Sequence, residues 1–222
     1  MSRYSPLQLA ESYLKTGEWA YVLEALADHL AQQPDDQVAR LLRVQVLIRL
    51  NELSAAQAEA ALLADDDPSA WHWRGILHSR AGQPAEAVFC AEQACALAPG
   101  DERLAERLLD LYSAAERWQE ARRLILAQPP RWGWLARLAE VENALGNYEA
   151  ARTAYERALE ALGQASTSPF SYLRPIRGTL LAALARTYAA LGADDQAQAA
   201  HQQARRLLPR DPSLDDLLTF SP

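Results

Sequence analysis

The chain has 222 residues, half of them hydrophobic, and carries 29 acidic against 22 basic side chains for a formal net charge of -7. That length and apolar share can bury a core in one domain or two small ones, and the acidic balance argues against general nucleic-acid binding, because a phosphate backbone would be repelled. No stretch approaches the roughly 20 apolar residues that span a bilayer, and Met1-Ser2-Arg3-Tyr4-Ser5-Pro6 lacks the basic-then-apolar order of a signal peptide, so a cytoplasmic chain without membrane insertion is expected.

Ala and Leu dominate and β-branched residues are scarce, which favours helix throughout. The first helix opens on Ser5-Pro6-Leu7-Gln8, a capping box with proline at the first helical position, and closes on the turn Gly17-Glu18-Trp19. A second pair turns at Asn51-Glu52-Leu53, and Ser54-Ala55-Ala56-Gln57 reads as another capping box. Asp65-Asp66-Asp67 lacks the alternation of a calcium loop and reads as a solvated turn, with Asp67-Pro68 starting the next helix. The third pair turns at Gly82-Gln83-Pro84. Cys90 and Cys95 lie five apart on its second helix, on different faces, which suits two small core side chains and not a disulfide. Asp101-Glu102 begins the fourth pair, which turns at Glu116-Arg117-Trp118 and is cut short by Gln128-Pro129-Pro130. Trp132 and Trp134 follow; they either fill the space left by this shortening or form an exposed aromatic interface. The fifth pair turns at Gly146-Asn147-Tyr148. Residues 166–177 read as a surface excursion, and the sixth pair turns at Gly192-Ala193-Asp194. After Pro209, residues 212–222 predict a short helix that caps the last apolar face.

The turns repeat with a period near 34. Trp19 to Leu53 is 34 positions and Pro84 to Trp118 is again 34, with 31, 30 and 46 between the other neighbours. Small or apolar residues recur eight positions into each unit at Ala10, Val44, Gly75, Leu109, Ala139 and Ala185, and twelve later at Val22, Ala56, Ala87, Ala121, Ala151 and Ala197. Tyr13, Tyr112 and Tyr188 supply an aromatic, Ala94, Ala158 and Ala204 a further small residue, and Pro34, Pro68, Pro99 and Pro209 a terminal proline. In this the chain resembles the tetratricopeptide repeat family. The resemblance implies an all-α fold: a right-handed αα-superhelix of about six helix-turn-helix repeats at 3–36, 37–67, 68–101, 102–131, 132–165 and 178–211, forming one solenoid with the insert and cap above.

Chemistry-bearing motifs are missing. There is no GxGxxG, GxxxxGK or GxSxG; His72 and His78 are six apart, unlike the i, i+4 pair of a zinc helix; and no nucleophile, base and orienter group together. No catalysis, cofactor or metal is expected.

The resemblance also implies that the first helix of each repeat lines an inner face where partners bind. Carried onto this sequence, that face includes Arg49, His72, Trp73, Ile76, Arg80, Arg107, Asp110, Arg137, Glu140, Asn143 and Arg186. The recurring arginines suit carboxylates, and Trp73 beside them supplies an apolar anchor. The expected function is a non-catalytic adaptor, scaffold or assembly chaperone that binds an acidic protein or peptide segment; the alternative is a self-associating subunit of a larger machine. In another reading the arginines pair with Glu106, Asp110 and Glu140 on adjacent helices and only hold the face open. Only Lys15 and Asn143 resemble the Lys/Asn clamp of chaperone-binding members, so docking to the major heat-shock chaperones is not expected. Arginine-rich, lysine-poor usage points to a GC-rich bacterial genome.

Overall fold

A computed structural model describes residues 5–165 and 173–214. Among these residues there are twelve α-helices, one short 3-10 turn and no strand. The contacts divide the chain into two compact units, Met1–Ala115 and Glu116–Pro222, and the division falls within the fourth predicted repeat.

The first unit holds α1 (Pro6–Thr16), α2 (Trp19–Gln32), α3 (Gln37–Arg49), α4 (Leu53–Ala60), α5 (Pro68–Arg80), α6 (Pro84–Leu97) and α7 (Glu102–Ala114). Successive helices pack on one another. Their starts follow the capping chemistry. Ser5 and Gln8 complete a reciprocal capping box, and the carboxylates of Asp36, Asp67 and Asp101 accept backbone N–H bonds at the starts of α3, α5 and α7. The predicted box at Ser54 does not form. Helix α4 already begins at Leu53, with no side chain capping it, because the chain re-enters helix directly after the turn.

One turn recurs in both units. Gly17, Asn51, Gly82, Glu116, Gly146 and Gly192 take left-handed backbone, with φ between 54° and 77°. In these turns the next N–H reaches back to a carbonyl five residues earlier, as in Glu52 to Leu47 (2.9 Å) and Gln83 to His78 (2.9 Å), which satisfies the carbonyls of the ending helix. Between paired helices the small positions are buried: Ala10, Val22, Val44, Ala56 and Ala87 are fully so. At Gly75 an added Cβ would lie 3.3 Å from the Cys90 Cβ, so the close α5–α6 approach would crowd even a methyl group there. Cys90 and Cys95 both lie on α6 and are unpaired.

Helix α4 has only 8 residues, and Arg74 holds the chain that leaves it. Its guanidinium donates to the carbonyls of Ala60 (3.0 Å) and Leu63 (2.7 Å) and to the Asp65 carboxylate (2.6 Å), while stacking over Trp71 at 4.9 Å. The acidic turn is therefore both a cap, through Asp67, and an arginine site, through Asp65.

The second unit holds α8 (Trp118–Leu126), α9 (Trp132–Ala144), α10 (Tyr148–Ala165), α11 (Leu173–Ala190), α12 (Asp194–Leu207) and a 3-10 turn, Pro212–Leu214. Residues 173–177, predicted as part of the excursion, are helical: Pro175 stands in the first turn of α11, where its missing N–H has no partner to lose. Of the predicted terminal helix, only the 3-10 turn is described; its Leu214 is fully buried with Leu181, Ala182 and Ala204. The rest of that prediction, and residues 166–172 of the insert, lie outside the described residues. Trp134 is buried, and Trp132 packs on the core that α9, α10 and α11 share, so the two tryptophans fill space in the fold and do not form an exposed patch.

Candidate functional site

The predicted inner-face residues fall into two sets, one in each unit. In the first unit, two arginines tie first helices side by side. Arg80 of α5 donates from Nη1 to the Ile48 carbonyl at the end of α3 (2.9 Å), and Arg107 of α7 donates from Nη2 to the Ser79 hydroxyl of α5 (3.2 Å). The exposed Arg49 lies over the Trp19 ring at 5.2 Å, and Asp110 is exposed one turn beyond Arg107. His72 and Trp73 meet edge to face at 5.4 Å. Trp73 and Ile76 are only partly buried, and both pack against the core shared by α3, α4 and α5, so Trp73 is a wall of this face as much as an anchor on it.

A small cleft opens where α5, α6 and α7 meet. His72, Gly75, Ala91, Ala94, Leu104, Arg107 and Leu111 line it, and its enclosed space is about 10 Å³, about one water. Burial pushes the His72 imidazole below its usual range; Arg107 and then Arg103 push it further the same way, against an opposite pull from Asp101. His72 is therefore neutral near pH 7, and it shares a mostly apolar notch with the Arg107 side chain.

In the second unit, Arg137 pairs with Glu140 one turn on in the same helix (3.2 Å), a pairing within α9 and not the one between adjacent helices that the alternative reading expects. The Asn143 amide donates to the Thr187 hydroxyl (3.0 Å), which ties α9 to α11. Burial, and then the Glu140 charge, push the Tyr155 phenol up to about 12, with Asn143 and Arg186 pulling the other way. Arg186 is exposed on α11. Asn143 thus serves first as an internal tie.

The tetratricopeptide repeat family matches at residues 68–101, 135–161 and 180–213, over one helix pair of the first unit and two stretches of the second. The chain is a tetratricopeptide repeat protein. Its fold is the all-α superhelical class of that family. Similar solved structures are YrrB, described as a TPR protein with an unusual peptide-binding site (TM-score 0.67, 16% identity, 86% of this chain and 96% of that one), and PilW, a type IV pilus biogenesis factor (0.65, 18%, 99% and 100%). MamA from MSR-1 is a third (0.59, 20%, 78% and 97%). At these identities the likeness is one of fold. Among curated protein sequences, none matches this tetratricopeptide repeat chain.

Pattern reading missed a set of buried charges. The Glu59 carboxylate, in α4, accepts from Arg40 (2.6 Å) and Arg43 (3.1 Å), and the buried Glu142 accepts from Arg122 (2.6 Å) and Asn147 (2.8 Å). The available signal was an acid recurring on the buried stripe of its helix. Among the described residues, no group of three or more His, Cys, Asp or Glu could hold a metal ion, and no helix is long and apolar enough to cross a membrane.

Proposed function

We propose that the chain is a non-catalytic interaction module, an adaptor or scaffold, and that the α3–α5–α7 face of the first unit binds an acidic segment of a partner protein. The observation that carries this reading is the arginine row itself. Arg49, Arg80 and Arg107 stand on three successive first helices in a chain whose net charge is -7, and each is steadied by a neighbour: a tryptophan ring, a backbone carbonyl and a serine hydroxyl. A steadied guanidinium loses less side-chain entropy on meeting a carboxylate than a free one. The peptide-binding site named for YrrB, on a similar fold, lends the reading support. The module is read as cytoplasmic, in keeping with its two unpaired cysteines.

The test is calorimetric binding of a Glu-rich twelve-residue peptide and of its Gln counterpart. The acidic peptide should bind more tightly, lose affinity with added salt, and weaken about tenfold or more in Arg80→Ala/Arg107→Ala, from the strength of charge-assisted bonds. Equal binding of the two peptides, or an unaffected double variant with intact circular dichroism, would remove the reading.

A further inference from the structure

Counting back from the left-handed residue of each turn lines up the first helices of the first unit in one register. Two positions before Gly17, Asn51 and Gly82 stand Lys15, Arg49 and Arg80, each exposed at or near the end of its helix. Lys15 is the only lysine in the chain. The helix dipole favours a cation at any such end, yet the last turns of α7, α9 and α11 carry none, so the row begins at α1 and stops at α5. Among the described residues none of the three cations is in an ion pair. Seven positions before Arg49 and Arg80, on the same stripe of each helix, are Leu42 and Trp73. Between them lie Gln45 and Ile76, so α3 and α5 each present a stripe without an acid, apolar at one end and cationic at the other. Leu42, Trp73 and Ile76 are all partly exposed. In α1 the matching stripe carries Glu11 one turn before Lys15.

On the reading of this face as an acidic-segment site, we infer that the partner's segment binds as an amphipathic α-helix laid across α1, α3 and α5. Its carboxylates, seven residues apart, meet Lys15, Arg49 and Arg80, and its apolar side chains cover Leu42, Trp73 and Ile76. Spacing carries the argument. Helices α1 and α3 share one core and α3 and α5 share the next, so successive first helices lie about 10 Å apart. Seven residues of an α-helix advance about 10.5 Å and return to nearly the same side, which matches one carboxylate to each cation. A β-strand repeats on one side at about 6.7 and about 13 Å and misses that interval. A polyproline-type segment repeats at about 9.3 Å and also meets the row. Width separates these two. The cationic and apolar ends of the α3 and α5 stripes are seven residues apart, about 10.5 Å, and a helix of about 10–12 Å diameter touches both ends at once. Carboxylates along one edge and apolar side chains along the other then complement the face in charge and in hydrophobicity together.

The experiment uses the full chain and three synthetic peptides of about 18 residues. The first is Ala-based, with three glutamates seven positions apart and a leucine stripe beside them. The second has the same residues with the glutamates five positions apart, which spreads them round the helix. The third keeps the glutamates and leucines of the first and replaces two central alanines by proline, which breaks the helix. By calorimetry the first should bind about tenfold more tightly than the second, two carboxylate pairs being lost at about two- to fivefold each, and more tightly than the third. Lys15→Ala should weaken the first peptide about two- to fivefold and leave the second nearly unchanged, while Lys15→Arg keeps the parent affinity. With carbon-13 label, the Cα shifts of the first peptide should move further toward helix on binding, since an isolated helix of this length is only partly formed. Equal binding of the first and second peptides, a proline peptide that binds as tightly as the first, or Cα shifts that move toward extended values overturns the inference. Binding of the Glu-rich twelve-residue peptide then leaves the acidic-segment reading standing. No binding by any acidic peptide, that one included, overturns both. The peptide comparison on the unmodified protein decides the matter even if a variant fails to fold.

Discussion

Gly82 and Glu116 occupy the same place in two copies of one turn, and one of them suits its backbone while the other does not. Both have left-handed backbone, with φ of 71° and 54°. That conformation costs an L-residue about 1–2 kcal/mol and costs glycine almost nothing, whereas glycine gives up about 0.4–1 kcal/mol more backbone freedom on folding. For Gly82→Ala the steric contribution of the surroundings drops out, because nothing lies within 4 Å of the added Cβ. The difference of the two backbone effects leaves a loss of about 0.5–1 kcal/mol. Glu116 already bears the left-handed cost, so Glu116→Gly should gain about 0.5–1 kcal/mol by the same difference with its sign reversed. Glu116→Ala is the control: it keeps the strained backbone and should change little. Asn51, whose side chain tolerates this region, should gain less than Glu116 on replacement by glycine. Urea titration followed by far-ultraviolet circular dichroism reads each change as a midpoint shift at constant slope. If Glu116→Gly and Gly82→Ala shift the midpoint in the same direction, backbone conformation is not what these turns select.

Two other perturbations test the buried polar groups. Glu59→Ala leaves Arg40 and Arg43 without their shared carboxylate. It should cost about 2–3 kcal/mol, somewhat below the range for a fully buried pair because Arg43 is partly solvated; a loss under about 0.5 kcal/mol in chemical denaturation, the size of a neutral surface change, would show the cluster to be idle. His201 is buried in α12, and among the described residues neither ring nitrogen has a hydrogen-bond partner. Burial, and then Arg205, lower its pKa. Above pH 6.5, the ordinary value for an unfolded histidine, neither state binds the proton. Below it the unfolded chain binds the proton first, so stability falls with pH until the folded-state value is passed. His72 acts in the same direction, so the diagnostic is a difference: thermal melts at about pH 7.5 and 5.5 should lie closer together in His201→Leu than in the parent, each proton contributing at most about 1.4 kcal/mol per pH unit. Equal separation in both proteins would refute the assignment.

The division between what could be read from the sequence and what could not follows the range of the interactions. The six turns were legible because a left-handed residue, its flanking apolar periods and the following helix start all lie within a few positions of one another, and this holds even at Glu116, where the residue is a poor one for the conformation. The aromatic three positions beyond the crossing was legible for the same reason, and the structure adds its use: the hydroxyls of Tyr112 and Tyr188 reach Glu92 and Glu156 on neighbouring second helices, both at 2.8 Å. Two local readings failed, each from treating a residue without its place in the turn. Ser54 resembles a cap, but the left-handed Asn51 has already turned the chain and α4 begins at Leu53, so Ser54 lies inside the helix and not before it. Residues 173–177 read as the end of the excursion, but they belong to α11, where Pro175 stands third and proline fits.

The arginines show where local reading ends. Their recurrence on first helices could be read directly, but the partner that fixes each one lies far along the chain: Ile48 is 32 residues from Arg80, and Ser79 is 28 from Arg107. Periodicity places a side chain on a face without saying whether its donors are spent there. The structure separates the two cases. Arg74 commits all three of its nitrogens to two carbonyls and a carboxylate and acts as a staple for the short α4. Arg80 gives one nitrogen to a carbonyl and remains exposed, and Arg49 lies over a ring and remains exposed. A guanidinium carries five donors in a rigid fork, so one bond to the protein orients the fork without exhausting it. That distinction, between arginines used up by the fold and arginines aimed by it, is the ground on which Arg49, Arg80 and Arg107 are proposed as the row that meets an acidic partner.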